Sequence, residues 1–224
     1  MPMSALAPVR RPRALAARLW TVTGLLGFAA LLTMVLTTEG VAEGDRPVLR
    51  WLIDHRTGWL SRALEVVSSP AIAVGVPALA FVGALTVGLV RRRWRPLATL
   101  AVAFCGGALL STGLKLVIGR ARPSTASMFG TQASGWSFPS GHTLLTSVLL
   151  GALVLLAWPH LRTRARRFLA CAGAATAAAV MGLSRLYLGD HWLTDVLASY
   201  ALAAIVLGAT AWLTARTTRG EEQS

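Results

Sequence analysis

Residues 97–118 read LATLAVAFCGGALLSTGLKLVI, a run of 22 residues in which Lys115 is the only charged side chain. A helix needs about 20 mostly apolar residues to cross a bilayer, so this run predicts a membrane span. Similar runs predict six spans in all, at residues 19–38, 70–90, 97–118, 143–158, 168–188 and 193–214. The fifth is rich in Ala and Gly, which predicts close packing among other helices. We therefore expect an all-α fold, a polytopic membrane bundle of six transmembrane helices.

The composition of the whole chain favours a membrane protein over a soluble one. Of its 224 residues, 54% are hydrophobic and only 14% are charged, which is too apolar for a soluble domain of this length. The net charge of +13 would also suit a nucleic-acid-binding protein, but the arginines occur in short clusters and no such module is recognisable. We therefore predict the bilayer, and no nucleic acid, as a partner. The expected organisation is a basic tail (1–18), one six-span domain (19–214) and a C-terminal tail (215–224).

The distribution of charge between the spans predicts their orientation. Arginine clusters lie before the first span, between the second and third, and between the fourth and fifth: Arg10, Arg11, Arg13 and Arg18; Arg91, Arg92, Arg93 and Arg95; Arg162, Arg164, Arg166 and Arg167. Such clusters mark cytoplasmic segments. The first connection holds five acidic residues and is expected outside, and no cleavable signal peptide is evident. Both termini are then cytoplasmic, and the chain is a multi-pass protein of the plasma membrane.

The first outer connection, residues 39–69, is not a span but carries apolar residues near helical spacing, with charges between them. Thr57-Gly58 is expected to divide it into two short helices. A pattern of this kind is typical of helices that lie in the headgroup region, so we interpret the connection as interfacial. A plain folded connector is an equally good interpretation.

Three charged stretches fall at the outer ends of the spans. They are Lys115 with Arg122-Pro123, then Pro139-Ser140-Gly141-His142, and then Ser184-Arg185 with His191 and Asp195. Charges at membrane depth are costly and usually functional, so the stretches predict a single site. Lys115 is also the only lysine in the chain, which favours a special role for it. Chance within a GC-rich codon bias, which favours arginine over lysine, is the alternative.

The tetrapeptide at 139–142 begins an apolar helix. Proline is tolerated in a first helical turn, Ser140 can cap the helix, and Gly141 lets the backbone approach an anion closely. The amides exposed at a helix start form a ready site for phosphate. Taken without its neighbours, the same tetrapeptide would be an ordinary helix start.

The two histidines have different predicted roles. His191 and Asp195 are four residues apart and share a helix face, so the carboxylate can fix the imidazole tautomer and leave the other ring nitrogen free to attack. His142 begins a different helix and can protonate a departing oxygen. Together they predict a nucleophile with its orienting carboxylate and a general acid.

The cations of the site are Lys115, Arg122 and Arg185, which can stabilise the charge on phosphoryl oxygens in a transition state. Arg185 follows an apolar run and needs an anionic partner. In a purely structural interpretation, Asp190 or Asp195 is that partner.

The three stretches 115–123, 139–142 and 184–195 resemble the three-part signature of the phosphatidic acid phosphatase type 2 superfamily. This superfamily includes lipid phosphate phosphatases, undecaprenyl pyrophosphate phosphatases of bacteria and vanadium haloperoxidases. The resemblance implies a helical bundle with its active site at the outer membrane face. It also implies hydrolysis without a metal or other cofactor, and the sequence shows no cluster of metal ligands.

The resemblance further implies a covalent mechanism. His191, aided by Asp195, attacks phosphorus to form a phosphohistidine, and His142 protonates the leaving group and later activates water. The residues that would hold the phosphoryl oxygens are Lys115, Arg122, Ser140, Gly141 and Arg185.

Four other polar or aromatic residues are left out of the predicted site. His55 and His160 are assigned to the interface or to helix capping. Arg120 is expected to be solvated or to face lipid headgroups, although a contact with the second phosphate of a diphosphate is the alternative. Trp136 is close to the site and is placed at its mouth.

The sequence therefore predicts an integral membrane phosphatase acting on a lipid phosphate or diphosphate of the outer leaflet. Undecaprenyl pyrophosphate is the first choice of substrate, followed by phosphatidylglycerophosphate or phosphatidate. The rival functions are a non-catalytic lipid-phosphate binder or transporter and haloperoxidase chemistry in the same pocket. Intact histidines favour catalysis over binding, and six spans favour a lipid substrate. The sequence carries no prediction of oligomeric state.

Overall fold

The structure, a computed structural model, describes residues 11–130 and 132–220. In these residues the chain forms eight α-helices: α1 (Arg11–Thr37), α2 (Asp45–Asp54), α3 (Gly58–Val67), α4 (Pro70–Arg91), α5 (Arg95–Ile118), α6 (Gly141–Ala157), α7 (Arg164–Tyr187) and α8 (Leu193–Gly220). Six helical segments, containing α1 and α4 to α8, are long and apolar enough to cross a membrane. The predicted all-α fold with six candidate spans is confirmed. Arg10, assigned to the first arginine cluster, lies outside the described residues.

The centre of the bundle is α8, the most buried of the six spans. It packs along α1 at positions where glycine allows the backbones to approach closely. A Cβ atom at Gly24 would lie 2.7 Å from the carbonyl oxygen of Ala201 in α8, closer than any such contact can be. On its other sides α8 joins α4, α5 and α6 around a core of Ala84, Leu100, Ala103, Leu144, Val148, Leu149, Ala152, Leu202, Ala203 and Val206.

The expectation that the fifth span packs closely among other helices holds only for its C-terminal end. Most of α7 lies at the edge of the bundle, where Phe168 is 71% and Leu169 is 66% exposed. Burial is confined to its C-terminal end, from Ala178 to Tyr187. Small residues permit a close approach between helices, but they do not determine how many helices lie beside a span. Among the described residues, α7 packs along one long helix, α6.

The connection between α1 and α4 folds into a short 3₁₀ turn, Gly40–Gly44, followed by α2 and α3. The two helices predicted on either side of Thr57-Gly58 are therefore confirmed. Leu52 of α2 and Leu64 of α3 pack against the end of α7 and the start of α8, while Trp51 and Trp59 are exposed. The connection thus rests directly on the end of the bundle, and its position in the headgroup region stays a prediction.

Successive spans run in opposite directions, which determines which helix ends meet. The ends of α5 and α7 and the starts of α6 and α8 lie at the same end of the bundle as α2 and α3. All three charged stretches belong to these ends. The arginine-rich connections belong to the opposite end.

Candidate active site

Lys115 lies in the last turn of α5 and reaches over to the connection that precedes α6. Its Nζ donates hydrogen bonds to the carbonyl oxygens of Trp136, at 2.7 Å, and Ser137, at 3.4 Å. The helix ends at Gly119, whose φ of +59° is the left-handed conformation that glycine adopts without strain. The ring of Trp136 lies close to this glycine and is about half exposed. The lysine side chain is therefore tethered to the segment that leads into the second stretch.

Arg122 connects the first stretch to the third. Its Nε donates to the carbonyl oxygens of Ser134 and Gly135, at 3.1 and 3.0 Å. Its Nη1 donates to the carbonyl oxygen of Asp190 at 2.8 Å and lies 3.1 Å from Nε2 of His191. Burial lowers the pKa of the Arg122 guanidinium, and the neighbouring aspartates oppose that shift. The side chain places a positive charge directly in front of the His191 ring.

His191 lies between α7 and α8 and is 2% exposed. Its Nδ1 is 3.3 Å from Oδ2 of Asp195, which also accepts a hydrogen bond from the backbone amide of Trp192 at 3.0 Å. A carboxylate at Nδ1 fixes the proton there and leaves a lone pair on Nε2. Burial lowers the pKa of His191 to about 4, although Asp195 opposes the shift. The imidazole is thus neutral near pH 7, with Nε2 toward Arg122.

Ser140 joins the second stretch to α8. It occupies the N-cap position of α6, but its hydroxyl accepts a hydrogen bond from the Thr143 side chain, at 3.0 Å, instead of capping a backbone amide. Its backbone amide donates to the carbonyl oxygen of Asp195, at 3.3 Å, and its carbonyl oxygen accepts from the Ser199 hydroxyl, at 2.9 Å. These bonds hold the start of α6 beside the carboxylate that orients His191.

Gly141 and His142 form the first turn of α6, where backbone amides have no acceptor within the helix. A Cβ atom on Gly141 would lie 3.4 Å from Oγ of Ser111 in α5, an ordinary van der Waals contact, so the start of α6 lies directly beside α5. His142 is partly buried, and the charges of Arg185, Arg122 and Lys115 act on it. The second histidine therefore shares the electrostatic environment of the three predicted cations.

Arg185 is 7% exposed at the end of α7, and its Nη2 forms an ion pair with Oδ2 of Asp190 at 2.7 Å. This is one of the two partners expected from the sequence. The pair is incomplete, because Nε of Arg185 and Oδ1 of Asp190 are buried and have no hydrogen-bond partner among the described residues. A buried, unused guanidinium donor is costly unless an anion occupies it. Burial raises the pKa of Asp190, and the positive charge of Arg185 opposes this rise.

Arg120 is the residue that the sequence placed wrongly. It was expected to be solvated or to face headgroups, but its Nη1 lies 2.5 Å from Oδ1 of Asp195 and its Nη2 lies 2.5 Å from Oδ2 of Asp45. Its position between Lys115 and Arg122 gives no sign of these bonds, because one partner lies 75 residues earlier in the chain. A partly buried arginine is stabilised by carboxylate partners, but the sequence does not say which carboxylates fold back to it.

The two histidines left out of the predicted site lie elsewhere. His55 follows α2, is exposed, and stacks on Trp51 with ring centroids 4.4 Å apart. His160 ends the 3₁₀ turn Trp158–His160, at the opposite end of α6 from His142. These positions suit them as control sites for experiments on His142 and His191.

The arrangement has the parts that a phosphoryl transfer requires. The imidazole of His191 is neutral and oriented, and a second histidine lies in the same charged environment. Buried Arg185 carries a guanidinium donor, Nε, that has no partner among the described residues and that an anion can use. Preorganised positive charge of this kind stabilises the oxygens of a transferring phosphoryl group.

Comparison with known proteins gives a family and several relatives. The PAP2 (phosphatidic acid phosphatase type 2) superfamily matches residues 96–219, more than half of the chain. Phosphatidylglycerophosphatase B of Bacillus subtilis (strain 168) is 28% identical over 181 residues, which cover 80% of this chain and 87% of that protein. Lipid A 1-phosphatase of Rhizobium johnstonii is 34% identical over 111 residues, which cover 46% of this chain and 41% of that protein.

The fold also matches a solved structure. The crystal structure of the first transmembrane PAP2 type phosphatidylglycerolphosphate phosphatase from Bacillus subtilis aligns with a TM-score of 0.73 at 22% sequence identity. The alignment covers 87% of this chain and 96% of that protein. At this identity the likeness shows a shared fold. The helical bundle is therefore a fold already seen in a transmembrane protein.

Proposed function

This chain belongs to the PAP2 superfamily, and on that premise we propose that it removes the phosphate of a membrane lipid through a covalent phosphohistidine. It is a multi-pass integral membrane protein and a phosphatase of that superfamily. The arginine clusters at the opposite end of the bundle support a site that faces outward, with both termini in the cytoplasm. A lipid could then keep its tail in the bilayer while its phosphate enters the site.

One observation carries the proposal: the two ring nitrogens of His191 have separate partners. Nδ1 is held by Asp195 and Nε2 faces the Arg122 guanidinium. In the structure the lone pair of Nε2 accepts the Nη1–H of Arg122. A phosphoryl oxygen that takes over this donor would place its phosphorus in front of the same oriented lone pair. Orientation before reaction lowers the entropic part of the barrier.

The proposed reaction has two steps. In the first, Nε2 of His191 forms a bond to phosphorus, the bond from phosphorus to the lipid oxygen breaks, and His142 gives that oxygen a proton. In the second, His142 takes a proton from water, the water oxygen attacks phosphorus, and the bond from phosphorus to nitrogen breaks to release inorganic phosphate. The groups that hold the phosphoryl oxygens are Lys115, Arg122, Arg185, Ser140 and Gly141.

The relatives bear on the choice of lipid. Two similar proteins are a phosphatidylglycerophosphatase and a lipid A 1-phosphatase. They favour phosphatidylglycerophosphate, the alternative in the sequence analysis, over undecaprenyl pyrophosphate, its first choice. We therefore propose a lipid phosphate monoester, with phosphatidylglycerophosphate first, as the preferred substrate.

A panel of lipid phosphates in the same detergent micelles tests this preference. We expect kcat/KM for phosphatidylglycerophosphate to exceed that for undecaprenyl pyrophosphate at least about tenfold, which corresponds to about 1.4 kcal/mol in the transition state. Phosphate release by the His191→Ala protein, purified in the same way, gives the background. A higher kcat/KM for undecaprenyl pyrophosphate would contradict the proposed preference.

The reaction is expected to proceed without a divalent metal, because arginine and lysine side chains supply the positive charge. Among the described residues, no group of three histidine, cysteine or carboxylate side chains is arranged to hold a metal ion. We expect kcat in excess EDTA to stay within about twofold of its value without chelator, and vanadate, which can mimic pentacoordinate phosphorus, to inhibit. Loss of activity in EDTA that magnesium restores would contradict this proposal.

A further inference from the structure

Asp45 is a buried carboxylate at the start of α2, far from the three charged stretches in the chain. It is 3% exposed, and its Oδ1 accepts a hydrogen bond from the backbone amide of Thr194 at 2.9 Å. Its Oδ2 accepts from the Thr194 hydroxyl at 2.7 Å and pairs with Nη2 of Arg120. Asp45 lies outside residues 96–219, the part of the chain that the family matches. It nevertheless contacts the start of α8, one residue before Asp195.

Arg120 lies between two carboxylates and connects them. Its Nη1 donates to Oδ1 of Asp195 and, at 2.7 Å, to the Thr194 hydroxyl, while its Nη2 donates to Asp45. The guanidinium also lies over the Trp192 ring, 5.7 Å from the centroid. Planar donors and an aromatic surface together fix the plane of the arginine. Its side chain is 18% exposed, so the pairs are formed largely away from water.

The geometry divides the two oxygens of Asp195 between different partners. Oδ1 is held by Arg120, and Oδ2 is left for Nδ1 of His191 and the Trp192 amide. A carboxylate held at one oxygen cannot rotate away from the imidazole. The orientation of His191 therefore depends on Arg120, and that of Arg120 depends on Asp45.

Charge gives Asp45 a second effect. The ring of His191 becomes positive as Nε2 bonds to phosphorus, and Asp195 stabilises that charge. An unpaired Arg120 would cancel part of the negative charge on Asp195. The charge of Asp45 offsets that of Arg120, so that Asp195 keeps its effect on the ring.

From these contacts we propose that Asp45 is a positioning residue for the nucleophile and acts through Arg120 and Asp195. This inference rests on the proposed function, since it concerns the same histidine. It assigns a catalytic consequence to the connection between α1 and α4, beyond its packing on the bundle. The competing role is structural, with Asp45 only anchoring that connection to Thr194.

The test compares Asp45→Asn with Asp54→Asn in the full chain. Asparagine keeps the size of Asp45 and removes its charge, while Asp54 is an exposed carboxylate at the end of α2. We expect Asp45→Asn to lower kcat about tenfold and to leave KM within about twofold, because the cations that would bind phosphate are unchanged. Asp54→Asn should match the wild type in both constants.

A double-mutant cycle separates positioning from anchoring. If Asp45 acts through Arg120, then Asp45→Asn should lower kcat no further in an Arg120→Gln protein, because the connecting group is already gone. Independent, multiplicative losses in kcat would overturn the proposal. Elution as a folded species in size-exclusion chromatography and an unchanged Tm establish that the compared variants are intact.

The outcomes distinguish this inference from the proposed function. A wild-type protein that releases no phosphate from any lipid of the panel would contradict the proposed function itself. An active wild type with an Asp45→Asn protein of equal kcat would overturn the inference alone. A rise in KM without a fall in kcat would also overturn it, since it would place Asp45 in substrate binding.

Discussion

His191→Ala is expected to abolish phosphate release, with kcat at least about a thousandfold below that of the wild type. The substitution removes the atom that would bond to phosphorus, Nε2, and none of the described neighbours can replace it in the same geometry. Asp195 and Arg122 lose their shared partner but keep their contacts with Arg120 and with the carbonyl oxygen of Asp190. A release assay with phosphatidylglycerophosphate in micelles measures the effect.

Two controls make this result specific. His160→Ala, at the other end of α6, should retain wild-type kcat because it lies away from the charged stretches. Binding of the lipid to the His191→Ala protein should persist, since Lys115, Arg122 and Arg185 remain. Turnover by His191→Ala at the wild-type rate would remove the proposed mechanism. If the wild type and the His191→Ala protein both bind the lipid and neither turns it over, the result would support the rival function, a lipid-phosphate binder or transporter.

His142→Gln is expected to lower kcat by about a hundredfold to ten-thousandfold, the range for loss of a general acid and base. Glutamine is close to histidine in size and polar, but it cannot exchange a proton near pH 7. In the proposed scheme both steps become slower, because the lipid oxygen leaves without a proton and no base takes a proton from the attacking water. The release assay used for His191→Ala measures this loss.

A substrate whose leaving group needs no proton separates the two steps. With p-nitrophenyl phosphate, the first step should continue in His142→Gln while hydrolysis of the intermediate is slow. Phosphorylated enzyme should then accumulate, and the wild type should show little of it. Equal phosphorylation in His142→Gln and in the double variant with His191→Ala would contradict the assigned roles.

The sequence was informative wherever a physical constraint is local. A run of about 20 apolar residues has few alternatives to a spanning helix, which is why six spans and the short pair α2 and α3 were predictable. The four-residue spacing of His191 and Asp195 likewise predicted a contact on one helix face. The contact is present, but His191 lies two residues before the start of α8, so the shared helix face is not. Phosphate-related roles for these residues remain proposals that the experiments above test.

Two features could not be predicted, because each depends on a partner that is distant in the chain. The contacts of Arg120 require Asp45, 75 residues earlier, and nothing in the spacing of the three stretches indicates it. The exposure of the N-terminal part of α7 also depends on distant parts of the chain. Its Ala and Gly content describes how closely a neighbour could approach, but the number of neighbours is a property of the whole bundle.

The central claim is that phosphorus bonds to Nε2 of His191, and mapping the phosphorylated residue tests it most directly. The protein would be mixed with ³²P-labelled phosphatidylglycerophosphate, stopped in alkaline detergent that preserves phosphohistidine, and digested. The account predicts label on the peptide that contains His191, attached at Nε2 because Nδ1 is held by Asp195, and no label in His191→Ala. Label on another residue, or phosphate release without any labelled His191, would contradict it.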